Sequence, residues 1–111
     1  MPITSTLVAE TQPRAPLVWV LGWARQVDRQ AMRCHLGQPV FTETDGTRTF
    51  GGEEDWWLYR ASNGEAVGVC LRVPYGDAVF YSSVPSATAA AELAVLLTPW
   101  AVEVFEEPYA R

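Results

Sequence analysis

Asn63-Gly64 stands between two β-rich runs, and no other feature of the chain narrows its fold as much. Asn-Gly supplies the positive φ angles that a two-residue type I′ hairpin turn demands. Taken as that turn, it sets Ala61 opposite Ala66, Tyr59 opposite Gly68, Trp57 opposite Cys70 and Trp56 opposite Leu71. The apolar alternation then agrees across both strands. One face holds Trp56, Leu58, Val67, Val69, Leu71 and Val73. The other holds Trp57, Tyr59, Cys70 and Arg72. A second turn, Pro74-Tyr75-Gly76-Asp77, leads into a third strand over 78–84. A four-residue loop there sets Arg72 opposite Val79, Leu71 opposite Phe80 and Cys70 opposite Tyr81. Val79 and Tyr81 thereby join Trp57 and Tyr59.

The flanking segments supply helices. Val20, Trp23, Ala24, Val27, Ala31 and Cys34 recur at helical spacing, which predicts a helix over 16–36 begun by Pro16. Asp28 also suits the N-cap of a separate helix, and 17–21 is β-branched enough to form a short strand. Gly37 and Pro39 end the element. Residues 40–53 are polar and Gly-rich; 40–43 and 48–50 suit a weak hairpin about Asp45-Gly46, or a loop. Ser86 is the expected N-cap of a helix over 87–98, with Leu93, Leu96 and Leu97 as its apolar stripe. Residues 100–105 read as a last strand ended by Glu106-Glu107-Pro108, with a helix from Pro99 as the alternative. The expected fold is α+β: an antiparallel meander of three to five strands with helices packed on one face. Residues 1–12 read as a tail and 13–111 as one domain.

Composition bounds the function. Apolar residues make up 49% of 111, enough to bury a core without disulfides or metals. No apolar run reaches the ~18 residues of a membrane span. Residues 1–10 lack the basic start and apolar stretch of a secretory signal, which points to the cytosol and to reduced Cys34 and Cys70. All eight basic residues are Arg, against one Asn, one Ile and fourteen Ala, the usage of a high-GC, bacterial genome. The net charge of −5 is uneven. Residues 11–36 hold four Arg and one Asp, whereas 37–110 hold three Arg and eleven acids. Such a chain repels phosphate backbones and is steered towards a basic protein.

No catalytic constellation emerges. His35 is the sole histidine, and its neighbour Cys34 points about 100° away on a helix, so the two make a poor chelate or thiol–imidazole pair. Glu53-Glu54-Asp55 is a run on a loop rather than an opposed carboxylate pair. Gly51-Gly52 has no following Lys and no strand–Gly–helix context for phosphate. No metal or cofactor is implied. Trp, Tyr and Arg dominate binding hot spots, and the proposed face gathers Trp57, Tyr59, Tyr81 and Arg72. These four are the expected anchors for a partner. Glu53, Glu54 and Asp55 supply steering charge, to which Glu106 and Glu107 add.

Leu36-Gly37-Gln38-Pro39, a polar loop, then Trp57-Leu58-Tyr59, a turn and an outgoing strand resemble the helix–hairpin pattern of the SmpA/OmlA family and related inhibitor modules. The likeness covers about 40 residues of the chain. It implies a small α+β protein that acts by binding other proteins, and assigns no functional residue. By general type the chain is also similar to bacterial immunity proteins, which neutralise a toxin by plugging its site. The expectation is a stoichiometric protein inhibitor. The alternatives are a homodimeric assembly module using the same sheet face, and a small-ligand domain or enzyme with a Trp-lined pocket.

Overall fold

A computed structural model of the chain describes residues 7–44 and 52–110. The weak hairpin expected about Asp45-Gly46 lies mostly outside them. Within them, 41–43 form a strand that pairs with the one beginning at Glu54.

The Asn63-Gly64 hairpin forms, but not with the two-residue turn. Gly64 N–H donates to Ala61 O (2.8 Å), Ala61 N–H donates to Glu65 O (2.9 Å), and Gly64 alone in the turn has a positive φ, of 88°. This is a three-residue loop, a type I turn closed by a left-handed glycine. The extra residue moves the register by one. Strand β4 (Glu54–Arg60) pairs with β5 (Ala66–Arg72) so that Tyr59 faces Val67, Trp57 faces Val69 and Trp56 faces Cys70. Every partnership inferred across this hairpin therefore changes face. Strand β6 (Asp77–Ser82) follows a loop over 73–76, with Arg72 opposite Asp77 and Val69 opposite Phe80. That is a shift of two from expectation, so Phe80 still shares a face with Leu71, and Tyr81 still shares one with Arg72.

The helix expected over 16–36 is a strand and a shorter helix. β2 (Trp19–Arg25) pairs with β6, and α1 (Arg29–Leu36) begins at Asp28, whose carboxylate accepts from Ala31 N–H at 2.9 Å. Gln26, at φ 57°, blocks a continuous helix. Val20 and Leu21 are both buried because each face of the sheet has its own core, and a bulge between Val20 and Gly22 puts Leu21 and Ala24, three apart, in the same core. That breaks the period of two and mimics helical spacing. Helix α2 (Ala87–Leu96) starts at Ser86 as expected, the hydroxyl accepting from Ala89 N–H at 3.1 Å.

Three more strands complete the sheet. β1 (Val8–Glu10), within the expected tail, pairs with β4 at 58–60, and β3 (Phe41–Glu43) pairs with the same edge at 54–56. β7 (Val102–Ala110) runs through Glu106-Glu107-Pro108 instead of ending there, and pairs with β2. Among the described residues the result is one antiparallel sheet of seven strands, ordered β1-β4-β5-β6-β2-β7 with β3 beside β1 on β4, larger than the three to five expected.

Both helices pack on one face. Met32 of α1 and Ala89, Ala90 and Leu93 of α2 share a core with Trp57, Tyr59, Val69, Leu71 and Phe80. The other face has its own core of Val20, Trp56, Leu58, Cys70, Val79 and Tyr81, packed by Leu17, Val40 and Phe105. Leu17 belongs to the connection from β1 to β2. It seats on Gly68, where a Cβ would lie 2.7 Å from its methyl carbon. Arg14 of the same connection donates to Gly64 O at 2.9 Å.

Candidate protein-binding surface

The structure separates the expected anchors. Trp57 is buried under the helices and donates its indole N–H to Gly37 O at 3.0 Å. Tyr59 is buried beside it, and burial pushes its phenol up to about 12. Tyr81 lies on the opposite face, stacked on Trp56 with 5.4 Å between centroids. Arg72 shares that side of the sheet. It forks onto Asp77 (2.7 and 2.5 Å), which holds its guanidinium charged, and lies over the Tyr75 ring. Trp57, Tyr59, Tyr81 and Arg72 therefore do not form one free face.

The acidic run at the start of β4 is occupied internally. Asp55 is fully buried and accepts from both forks of Arg29 (2.9 and 2.9 Å) and of Arg33 (3.0 and 3.0 Å), and from Thr42 Oγ1 (2.7 Å). Burial works to raise its pKa, but the hydrogen bonds from Arg29, Arg33 and Thr42 outweigh it and hold the carboxyl well below the usual carboxylate range. The bonds to Asp55, with help from Glu53, hold Arg29 firmly charged. Glu53 accepts from Arg29 at 2.7 Å, and Glu54 is buried with Oε1 lacking a hydrogen bond among the described residues. The run is a clamp between α1 and β4, and its spacing, with Arg29 and Arg33 on adjacent turns of one helix face, matches a carboxylate held by two forks.

A different surface is left open, on β7. Val20 pairs with Tyr109 and Gly22 with Val104, so residues 105–108 stand opposite Leu21 alone and β7 bows outward. Gly22 permits the close approach beside the bow: a Cβ there would lie 2.3 Å from Glu103 O. Phe105 anchors the bow on the far face, edge-on to Trp23 at 5.3 Å. Between the bow and α2 opens a groove of ≈ 490 Å³, lined by Pro85, Ala87, Ala90, Ala91, Val104 and Pro108, with Glu106 among its walls. Val84, Val104 and Tyr109, at or near the groove, are large apolar side chains at least 42% exposed.

Glu103, Glu106 and Glu107 lie exposed along β7, and among the described residues they make no ion pair. By contrast Glu10, Asp28, Glu53, Asp55, Asp77 and Glu92 each accept a hydrogen bond within the chain. The guanidinium of Arg25 lies over the Trp23 ring, 4.4 Å from its centroid, and not on Glu103. Among the described residues no basic side chain lines the groove. Glu106 and Glu107 were within reach of sequence reasoning as steering charge. The groove was not, because α2 and β7 meet only through the tertiary fold.

Among the described residues no three His, Cys, Asp or Glu side chains are grouped as metal ligands, and no helix is long and apolar enough to cross a membrane. Cys34 is exposed on α1 and Cys70 buried on β5, and no disulfide joins them. His35 closes the C-terminal ends of the two helices, its Nε2 lying 2.6 Å from Leu96 O and its ring edge-on to Trp100. In comparisons with known proteins, no family model, curated protein or solved structure matches the chain.

Proposed function

We propose that the protein is a non-catalytic binding protein that occupies a basic surface of another protein, as a stoichiometric inhibitor does. One observation carries this reading: Glu103, Glu106 and Glu107 are exposed along β7 and make no ion pair among the described residues, and Glu106 lines an apolar groove. Unpaired surface carboxylates steer a basic partner and set its orientation, while desolvated apolar contacts hold it. The binding surface is β7 and α2 in place of the aromatic sheet face, whose side chains are spent on the two cores. The uneven charge of the sequence supports the same reading, since the N-terminal arginines Arg29 and Arg33 are consumed by Asp55 and leave the β7 acids unbalanced.

The test is capture from a native lysate by tagged wild type and by a Glu103→Gln, Glu106→Gln, Glu107→Gln variant, with bound proteins identified by mass spectrometry. A basic protein held in about one-to-one ratio by the wild type, released by moderate salt and lost by the equally stable variant supports the reading. Capture of nothing, or capture indifferent to the three substitutions, overturns it.

A further inference from the structure

The β7 groove has a chemistry of its own, beyond the charge beside it. Ala87, Ala90 and Ala91 fall at i, i+3 and i+4 of α2, so three methyl groups share one wall. Val104 and Pro108 form part of the opposite wall. The one hydroxyl in the lining, Ser86, is committed, accepting from Ala89 N–H and from Asn63 Nδ2. Among the described residues Glu106 is the one charged side chain of the lining. A volume of ≈ 490 Å³ far exceeds the roughly 30 Å³ of one water. Such a cleft takes an apolar side chain with a cation near it, and offers a polar metabolite too few partners.

The backbone of the occupant follows from the sheet. β7 is the terminal strand of the order β1-β4-β5-β6-β2-β7, so among the described residues its outer edge is unpaired. An extended segment laid along that edge gains main-chain hydrogen bonds and places alternate side chains towards the groove. A second copy of this chain is a poor occupant, because β7 against β7 brings the glutamates of both copies together, and like charges across a strand pair are destabilising. A segment bearing arginine or lysine at alternate positions meets the same row favourably.

We propose that the partner docks an extended basic segment along β7 and seats one aliphatic side chain of it between Ala91 of α2 and Val104 of β7. This rests on the function proposed above and adds the form and chemistry of the bound segment.

A labelled peptide alternating arginine and leucine, one alternating arginine and alanine, and one alternating glutamate and leucine are titrated against the full chain by fluorescence anisotropy near physiological salt. The arginine–leucine peptide is expected to bind about tenfold or more tighter than the arginine–alanine peptide, and the glutamate peptide not at all. Ala91→Phe, which fills the groove from an exposed position, and Val104→Ser, which alters the opposite wall, are each expected to erase the leucine advantage with thermal midpoints near wild type. Equal binding of both arginine peptides, lost in the triple glutamine variant, overturns the groove while the acidic-surface reading stands. Binding of neither arginine peptide overturns both. A dimer of the wild type alone in sedimentation, dissolved by Ala91→Phe, makes the occupant a second copy and overturns the proposal.

Discussion

Two acidic stretches, Glu53-Glu54-Asp55 and Glu103 to Glu107, are alike in the sequence and opposite in the molecule. Asp55 is removed from water and held by four guanidinium hydrogen bonds and a hydroxyl. The β7 glutamates are in water with no cation among the described residues. The first stretch stabilises the fold and is closed to a partner. The second contributes next to nothing to the fold and is free to meet one. Net charge on a segment therefore says little about recognition until the internal cations have been assigned, and here α1 assigns two of them.

The sharpest way to break the comparison is Asp55→Ala. It strands Arg29 and Arg33 against β4, and we expect a loss of about 3 kcal/mol in urea unfolding. That is the low end for a severed buried pair, because both arginine side chains keep about a third of their surface in water, 32% and 31%. Gly22→Ala comes next: its methyl meets the Glu103 carbonyl, so β7 must move off β2, at a cost of about 2 kcal/mol. The same variant should weaken partner capture, because the displaced strand carries the proposed docking surface. Acid separates the two stretches without mutation. The folded-state pKa of Asp55 is depressed, so its contribution is full above the unfolded value of about 3.9 and is lost as pH falls below that towards the folded value. Asp55→Asn should flatten the stability profile below about pH 4, while the triple glutamine variant on β7 should retain that fall. Smallest in stability is the triple glutamine variant itself, whose unfolding midpoint near neutral pH should stay within about 0.5 kcal/mol of wild type although binding is lost.

Local rules were legible where a residue has a local job. Ser86 caps α2, Gly37 ends α1 and Asp28 caps it, each visible from residue type and spacing. Asn63-Gly64 marked a hairpin correctly and its faces wrongly, because the dipeptide suits both a two-residue turn and a type I turn closed by a left-handed glycine. One residue decides between them, and that residue moved Trp57 and Tyr59 to the helix-covered core, away from Tyr81. β2 was hidden by its bulge, which puts Leu21 and Ala24, three apart, in one core. β7 was cut short because Pro108 ordinarily ends a strand, yet at a bowed edge its missing N–H costs little. The groove on α2 depends on which strand the helix covers, and nothing in 87–96 carries that information.

The place of β2 also governs how the chain reaches this state. β4, β5 and β6 follow one another through short turns and assemble from near neighbours in sequence. β2 precedes all three, yet its two partners are β6 and β7: Trp19 pairs with Ser82 on one side and with Ala110 on the other. These contacts close long loops, which slows folding relative to a helical or local-hairpin protein of this size. During synthesis β2 emerges early and must wait, with Leu21 and Val20 uncovered, until the last strand of the sheet is made. β7 thus has a role in folding apart from the proposed docking. It is the strand that shields β2, and a chain that stalls before completing it presents a long apolar strand edge open to aggregation.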